Sequence, residues 1–198
     1  MEKVRLREAL LRRALPARIV RRISFDFARS NTVHPDTAWA LFALTQASAA
    51  RVVIETGTYW GYATSFIAAA LANNSAGKAY TIDLSKKSGR RIPRDLRRHV
   101  VFVRGQTGVS VLRTLSTQVQ PTMFFQDSVH DYEGVRAEIH EVASFLPIGG
   151  VIAVHDTVDP GVQQALQTLN GFALYLLVVG DPQGLGVAIK MENSNVIS

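Results

Sequence analysis

The sequence predicts an α/β protein built around an open, mostly parallel sheet. Apolar runs of strand length alternate with helix-like segments from about residue 51 onward, and this alternation is typical of parallel sheets with helices on both faces. The last two apolar runs, residues 172–179 and 185–190, are separated by only five residues. Because a parallel crossover needs about a dozen residues or more, this final pair must be antiparallel.

Seven strands are expected, each an apolar run of the length typical of buried strands. They lie near residues 51–55, 79–83, 100–103, 121–126, 150–155, 172–179 and 185–190. The segments between them predict helices near residues 61–72, 94–98, 106–118, 131–146 and 159–170. A further helix is expected from Asp36, which can act as its N-cap after the extended His34-Pro35 pair, to about Ala49.

Charge divides the chain into an acidic domain and two basic segments. Residues 1–30 carry nine Lys or Arg and three acids, residues 84–105 carry eight and one, and the remainder carries five and twelve. We expect a basic N-terminal helical extension over residues 1–35, with a helix at 3–29 that Pro16 breaks or kinks, and one domain over 36–198. The basic segments predict anionic partners: a phosphate, a membrane surface, a nucleic acid or an acidic acceptor.

Composition excludes several classes of chemistry. The chain has no cysteine, which rules out disulfides, thiolate catalysis and Cys-type zinc sites. No apolar run reaches the length of a membrane span, and the N-terminus lacks the pattern of a secretory signal. We therefore expect a cytoplasmic protein.

Polar side chains follow five successive strands of the predicted sheet. Ligands of open α/β sheets bind beyond the carboxyl ends of the strands, so these side chains should share one site. The carboxylate of Asp83 can accept both hydrogen bonds of a ribose diol, and the polar pair Gln106 and Thr107 suits an adenine edge. The strand-end residues are Glu55, Asp83, Gln106, Thr107, Asp127, His130, His155 and Asp156.

The loop after the first strand carries the most specific pattern. It places Gly57 and Gly61 four residues apart, where glycine lets the backbone turn sharply and approach a ligand. The dinucleotide fingerprint Gly-x-Gly-x-x-Gly is absent, which disfavours a dehydrogenase. Residues 55–62, Glu-Thr-Gly-Thr-Tyr-Trp-Gly-Tyr, instead resemble the first motif of class I S-adenosylmethionine (SAM) dependent methyltransferases, and most of all the catechol and caffeoyl-CoA type O-methyltransferases.

Later motifs extend the resemblance over about residues 36–190. Residues 127–133, Asp-Ser-Val-His-Asp-Tyr-Glu, with the pair Gly149-Gly150 and the run at 155–157, resemble bacterial sugar and natural-product O-methyltransferases, the group that includes macrocin and cephalosporin-pathway enzymes. The resemblance implies a Rossmann-like class I methyltransferase fold, with a seven-stranded, mostly parallel sheet, a C-terminal antiparallel hairpin and N-terminal helices. Residues 36–198 would then form the SAM-dependent methyltransferase domain.

The resemblance also implies SAM as cofactor, and it assigns contacts to particular residues. The methionine end would contact Glu55, Gly57, Thr58, Tyr59 and Gly61, the ribose Asp83, and the adenine Gln106, Thr107 and Ser128, with Asp127 as a further contact.

Catalytic and metal-binding roles follow from the same comparison. Metal-dependent members hold a divalent cation at positions that fall here on Asp127, His155 and Asp156. His155 stands where relatives carry a carboxylate, so Mg²⁺, Mn²⁺ and no metal all stay open. His130 stands where catechol-type enzymes place a lysine base. Because a histidine can accept the proton of a hydroxyl near neutral pH, His130, with Asp127 beside it, is the first candidate for the base, and His155 is the second.

The leading hypothesis is therefore O-methylation of a hydroxyl on a small sugar-like or natural-product acceptor. A nucleic-acid, and specifically RNA, methyltransferase is an alternative that the basic segments support. It is disfavoured because residues 127–130 lack the (Asp/Asn)-Pro-Pro-aromatic motif of base amino-methylating enzymes. A third hypothesis is a non-catalytic SAM-binding protein that docks on a membrane through its basic N-terminal helix, and that helix could also pack in a homodimer.

Overall fold

A mixed sheet of eight strands runs through the computed structural model, which describes residues 2–5, 23, 32–74 and 77–192. The strands are β1 (Glu2–Arg5), β2 (Val52–Thr56), β3 (Lys78–Asp83), β4 (Val100–Arg104), β5 (Met123–Gln126), β6 (Val151–His155), β7 (Phe172–Val178) and β8 (Leu185–Lys190). Their order across the sheet is β1-β7-β8-β6-β5-β2-β3-β4. Strand β8 runs antiparallel to β6 and β7, and the other pairs are parallel.

Helices cover both faces of the sheet. They are α1 (Pro35–Ala47), α2 (Tyr62–Asn73), α3 (Val109–Val119), α4 (Tyr132–Ala143) and α5 (Pro160–Gln167), with a 3₁₀ turn at Arg97–His99. Successive side chains of a strand point to opposite faces. On β5, Phe125 therefore joins the hydrophobic cluster with Phe42 of α1, while Phe124 joins the second cluster with Ile139 of α4. The predicted doubly covered sheet is confirmed, including all seven predicted strands and the terminal antiparallel pair.

The switch point of the sheet lies between β2 and β5. From β2 the chain moves outward through β3 to β4, and it then returns to β5 on the other side of β2 and continues to β6. A crevice forms beyond the carboxyl ends of strands where the order reverses in this way. The loops that follow β2, β3, β5 and β6 consequently converge at one edge of the sheet.

Two expectations at the N-terminal side are wrong. Residues 3–5 lie in β1, which pairs with β7, and not in a helix. Strand β7 would otherwise leave the backbone groups of that edge unpaired, and helical periodicity cannot report a distant sheet edge. The rest of the predicted extension lies outside the described residues, apart from the buried Ile23 and the segment from residue 32. The N-cap of α1 is His34, whose Nδ1 accepts the Asp36 amide at 3.2 Å, so Asp36 is not the cap.

No helix in the described part of the chain combines the length and the apolar character that a membrane crossing requires.

Candidate functional site

The loop between β2 and α2 depends on its two glycines. Gly57 has φ 89° and Gly61, the N-cap of α2, has φ 87°, in the left-handed region that glycine adopts without steric cost. A Cβ on Gly57 would collide with the carbonyl oxygen of Asp127. The glycine at this position therefore lets the loop contact the backbone that follows β5, so that the ends of the two switch-point strands lie side by side.

Asp83 connects the end of β3 to this glycine loop. Its Oδ2 accepts the amide of Tyr59 at 2.7 Å, and its Oδ1 accepts the amide of Ser85 at 2.7 Å. Tyr59 itself has φ 45°, a left-handed conformation that is unusual for a residue with a side chain. The predicted ribose-binding carboxylate thus stands beside the loop and holds its backbone in position.

Glu55 lies beneath the loop and is fully buried. Its Oε2 accepts the hydroxyls of Thr64 and Thr81, each at 2.5 Å, while Oε1 has no hydrogen-bond partner among the described residues. Burial raises the pKa of Glu55 to about 7, against the lowering effect of these two hydrogen bonds. A buried carboxyl oxygen without a hydrogen-bond partner is unusual in a folded protein, and Glu55 is not among the residues that line the cavity described below.

A cavity of about 700 Å³ opens beyond the ends of β2, β5 and β6. Several predicted site residues line it: Gly57, Thr58, Tyr59, Asp127, His130, His155 and Asp156. Gln106 instead borders a smaller groove against α3. Thr107 is exposed and is not among the residues that line either space. The structure thus brings three of the methionine-end candidates together with the catalytic candidates. The other cofactor candidates do not line the main cavity: Glu55, Gly61, Asp83, Gln106, Thr107 and Ser128.

His155, at the end of β6, is held by three carboxylates. Its Nδ1 lies 3.1 Å from Oδ1 of Asp127 and 3.1 Å from Oδ2 of Asp156, and its Nε2 lies 2.9 Å from Oδ2 of Asp181. Burial alone would lower the pKa of His155, but the hydrogen bonds to these carboxylates outweigh it and raise the pKa to about 12. At neutral pH this side chain is an imidazolium in which both ring nitrogens donate.

Asp181 is a site residue that the sequence analysis missed. It lies in the turn between β7 and β8, is buried, and accepts the hydroxyl of Thr37 at 2.5 Å in addition to its contact with His155. Burial raises its pKa, but the hydrogen bonds from His155 and Thr37 lower it to about 2. An aspartate followed by proline looks like an ordinary turn residue, and only the packing of β8 beside β6 brings it to the site.

His130 differs from His155 in exposure and in the number of its partners. Its side chain is 55% exposed, and its Nδ1 lies 2.7 Å from Oδ2 of Asp156. Asp156 therefore bridges the two histidines, and it does so from a left-handed backbone conformation with φ 56°. Such backbone strain is commonly found at functional sites. Burial raises the pKa of Asp156, but the hydrogen bond from His155 and the nearby histidine charges lower it by more in sum, so the net shift is downward.

Three of these groups could hold a cation. The candidate ligand atoms of Asp127, His155 and Asp156 lie within 4.8 Å of one another. Two carboxylates and one imidazole suit a borderline metal such as Mn²⁺ better than Mg²⁺, which prefers oxygen ligands. Asp181 on Nε2 would then be the outer partner that orients the histidine. Metal binding would require Nδ1 to lose its proton, and it would therefore compete with the ion pairs described above.

Glu138 of α4 is a second residue that the sequence analysis missed. It is buried, and its carboxylate accepts the hydroxyl of Ser128 at 2.9 and 3.0 Å and that of Thr56 at 2.9 Å. Burial raises the pKa of Glu138, against these hydrogen bonds. The Ser128 hydroxyl spends its one proton on this network and keeps only acceptor capacity. Glu138 thereby ties the end of β2 to the segment that contains Asp127.

Fold and site together define a class. A parallel sheet with an antiparallel strand inserted between β6 and β7, a glycine loop at the switch point and acids at the ends of β2 and β3 are the features of the Rossmann-like methyltransferase fold. Residues 54–157 match the family model described as a methyltransferase domain. This match covers more than half of the chain, which therefore belongs to that family and is a SAM-dependent methyltransferase.

Several solved structures share this fold. Rv0187 from MTB, described as cofactor-bound, is 21% identical with a TM-score of 0.68 over 89% of each chain. The O-methyltransferase from Bacillus cereus in complex with S-adenosylhomocysteine (SAH) is 18% identical with a TM-score of 0.64, over 93% of this chain and 92% of its own. TomG, a Streptomyces achromogenes O-methyltransferase involved in tomaymycin synthesis and bound to SAM, is 19% identical with a TM-score of 0.68, over 94% and 92%. Comparison with curated protein sequences gives no match.

Proposed function

We propose that the chain transfers a methyl group from SAM to a hydroxyl of a small sugar-like or natural-product acceptor. The observation that carries this proposal is the contact between Nδ1 of His130 and Oδ2 of Asp156, at 2.7 Å, in the cavity that the glycine loop lines. A base oriented by a carboxylate beside the cofactor loop is what the deprotonation of a hydroxyl requires.

The residues beneath and beside the glycine loop fit SAM. We assign Asp83, whose carboxylate lies beside the loop, to the ribose end. We assign Glu55, which is buried at the end of β2 with Oε1 unpartnered, to the methionine end. Gly57, Thr58 and Tyr59 would line the methionine end, Gly61 begins α2 beside them, and Gln106, Thr107 and Ser128 would border the adenine. When bound, SAM supplies a methyl group on a positively charged sulfur, which is a good leaving group.

The chain's own contribution is to activate and orient the acceptor. With Nδ1 of His130 committed to Asp156, Nε2 is the nitrogen that takes the hydroxyl proton, while the negative charge of Asp156 stabilises the imidazolium that forms. Asp127 stays beside the site as the partner of His155. Alignment of the activated oxygen with the methyl group accounts for much of the rate enhancement expected in such a transfer.

A metal-assisted variant is the second candidate, because the ligand atoms of Asp127, His155 and Asp156 are clustered. A divalent cation held by these residues would lower the pKa of the acceptor hydroxyl directly. Turnover after exhaustive treatment with EDTA, and again after addition of Mn²⁺, separates the two candidates. Under the His130 proposal EDTA leaves the rate within about twofold, since proton transfer by the side chain needs no metal.

Calorimetric titration with SAH tests the cofactor assignment, and NAD is the matched control ligand. We expect micromolar binding of SAH and none of NAD. Replacing Asp83 with asparagine should weaken SAH binding by about 1.5–3 kcal/mol, the value of a hydrogen bond to a charged group. Asp131, the exposed N-cap of α4, provides a matched Asp131→Asn control with unchanged affinity. Failure of the wild-type protein to bind SAH would contradict the proposed function.

A further inference from the structure

The basic segment at residues 84–105 has no role in the mechanism above, although part of it is fastened to the glycine loop. The amide of Gly89 donates to the carbonyl of Tyr59 at 2.8 Å, and the amide of Arg91 donates to the carbonyl of Trp60 at 3.3 Å. Arg97 supports the same turn by donating from Nη2 to the carbonyl of Arg90 at 2.9 Å. The backbone that carries the two arginines is thus held at the edge of the cofactor loop.

Two guanidinium groups converge on one indole ring. The guanidinium carbon of Arg90 lies 3.9 Å from the ring centroid of Trp60, and that of Arg91 lies 4.7 Å from it. Both arginines are exposed, and neither forms an ion pair with a carboxylate within the described part of the chain. A guanidinium stacked on an aromatic ring keeps its N–H groups free to bind an oxyanion in a bidentate manner.

Trp60 connects these arginines to the candidate active site, because it lines the same cavity as Asp127 and His130. Acids outnumber cations in the cavity: Asp127, Asp156 and Asp159 line it against the His155 imidazolium, and none of its lining residues in the described structure is a lysine or an arginine. An anionic group on an acceptor would be repelled from the acids and attracted to the rim at Trp60. That polarity would direct the acceptor's hydroxyl toward His130.

We propose that Arg90 and Arg91, stacked on Trp60, form a subsite for an oxyanion carried by the methyl acceptor. This inference rests on the proposed function and narrows its substrate class to hydroxylated compounds that bear a phosphate or a carboxylate. The carboxylate of SAM is a second source of the same chemistry, and the experiment distinguishes the two.

Trp60 can report on its own subsite. The chain contains two tryptophans, so replacing Trp39 with phenylalanine leaves Trp60 as the only one. In this background, with SAH at saturation, glycerol 3-phosphate and glycerol are titrated while tryptophan emission is recorded. We expect a saturable change with glycerol 3-phosphate and none with glycerol, and a weaker affinity as salt is raised, because salt screens exposed charges.

Two pairs of substitutions with the same loss of charge locate the effect. The pair Arg90→Gln and Arg91→Gln should weaken glycerol 3-phosphate binding by about tenfold or more, since charge-assisted hydrogen bonds are lost. The pair Lys86→Gln and Lys87→Gln removes two charges from the same segment without touching Trp60, and it should weaken binding by less than about twofold. The charge-preserving pair Arg90→Lys and Arg91→Lys should give an intermediate loss, because lysine lacks the planar fork.

The outcomes separate this subsite from the proposed function. Absence of a saturable fluorescence response to glycerol 3-phosphate in the presence of SAH would overturn the subsite. An equal loss of glycerol 3-phosphate affinity in the arginine-to-glutamine and lysine-to-glutamine pairs would overturn it as well. A response that SAH abolishes would assign the arginines to the cofactor's carboxylate and would overturn the acceptor subsite as well. SAH affinity and thermal unfolding of the arginine variants should match those of the wild type. A wild-type protein that fails to bind SAH but keeps the saturable response to glycerol 3-phosphate would contradict the proposed function and leave the oxyanion site in place.

Discussion

The cavity contains two histidine regions that share Asp156 and differ in almost everything else. Around His155 the side chain is 8% exposed, and three carboxylates contact both ring nitrogens at 2.9–3.1 Å. Around His130 the side chain is 55% exposed and contacts one carboxylate at 2.7 Å. A buried imidazolium whose two ring nitrogens are both engaged serves as a fixed positive charge, whereas the exposed ring of His130 engages Nδ1 and leaves Nε2 accessible. The surroundings, and not the residue type, distinguish the two roles.

The largest expected effect concerns the exposed region. His130→Ala should lower turnover of a methylated acceptor by roughly 100-fold to 10,000-fold, the range typical for the loss of a general base. SAH affinity and stability should stay unchanged, because the side chain is exposed and has a single partner. Steady-state kinetics combined with SAH calorimetry measure both quantities. An unchanged rate would remove the distinction between the two histidines.

The next effect concerns the buried region and appears in stability. Asp181→Ala should reduce the free energy of unfolding by about 3–5 kcal/mol, because it leaves the buried His155 cation with one carboxylate fewer. Urea denaturation measures this loss. Glu133→Ala, which removes an exposed acid from the first turn of α4, is the control and should stay within about 0.5 kcal/mol of the wild type. A loss as small as that of the control would show that Asp181 and His155 are not paired.

The pH dependence of stability sharpens the comparison further. The pKa of His155 is raised from 6.5 to about 12 in the folded protein, so its stabilising contribution is complete below pH 6.5 and is lost progressively as the pH rises toward 12. Within this window the free energy of unfolding falls by about 1.4 kcal/mol per pH unit because the folded protein keeps the His155 proton and the unfolded chain does not. The fall in the midpoint of thermal unfolding between pH 6.5 and 9 should therefore be smaller in His155→Gln than in the wild type, and it should be unchanged in His130→Gln. Equal slopes in the two variants would contradict the assignment of the fixed charge.

The smallest effect separates the His155 region from a metal site. Addition of Mn²⁺ to the wild-type protein should raise the midpoint of thermal unfolding very little. To bind, the metal must displace the proton on Nδ1 of His155 and break the contacts of that nitrogen with Asp127 and Asp156. A large stabilisation that depends on Mn²⁺ concentration, and that Asp127→Asn abolishes, would instead indicate a metal site. Asp131→Asn is the matched control, since Asp131 caps α4.

The position of these residues at one edge of the sheet could be predicted from the sequence, whereas their functions stay predictions. His130, Asp127, His155 and Asp156 could be placed in one site because they follow parallel strands, whose carboxyl ends meet at the same edge of a sheet. The division into a buried His155 with three carboxylate partners and an exposed His130 with one could not be predicted. It depends on Asp181, which comes from a hairpin turn 26 positions away from His155.

The fold shows the same limit. Strand–helix alternation and the five-residue final turn determined the seven strands, the doubly covered sheet and the antiparallel end, because these features depend on local patterns of apolar residues. The pairing of β1 with β7 and the buried network of Glu138 with Thr56 and Ser128 depend on contacts between segments far apart in the chain.

By itself, then, the sequence determined the architecture, the cofactor loop and which strand ends carry polar groups. Only the tertiary structure decided that Glu55 is buried with an unpartnered oxygen, that Asp83 holds the loop backbone, that His155 is enclosed by three carboxylates, and that two arginines stack on Trp60. The physical reason is that periodicity and turn chemistry are local, whereas burial, hydrogen-bond pairing and pKa depend on which distant residues the packing brings within a few ångströms.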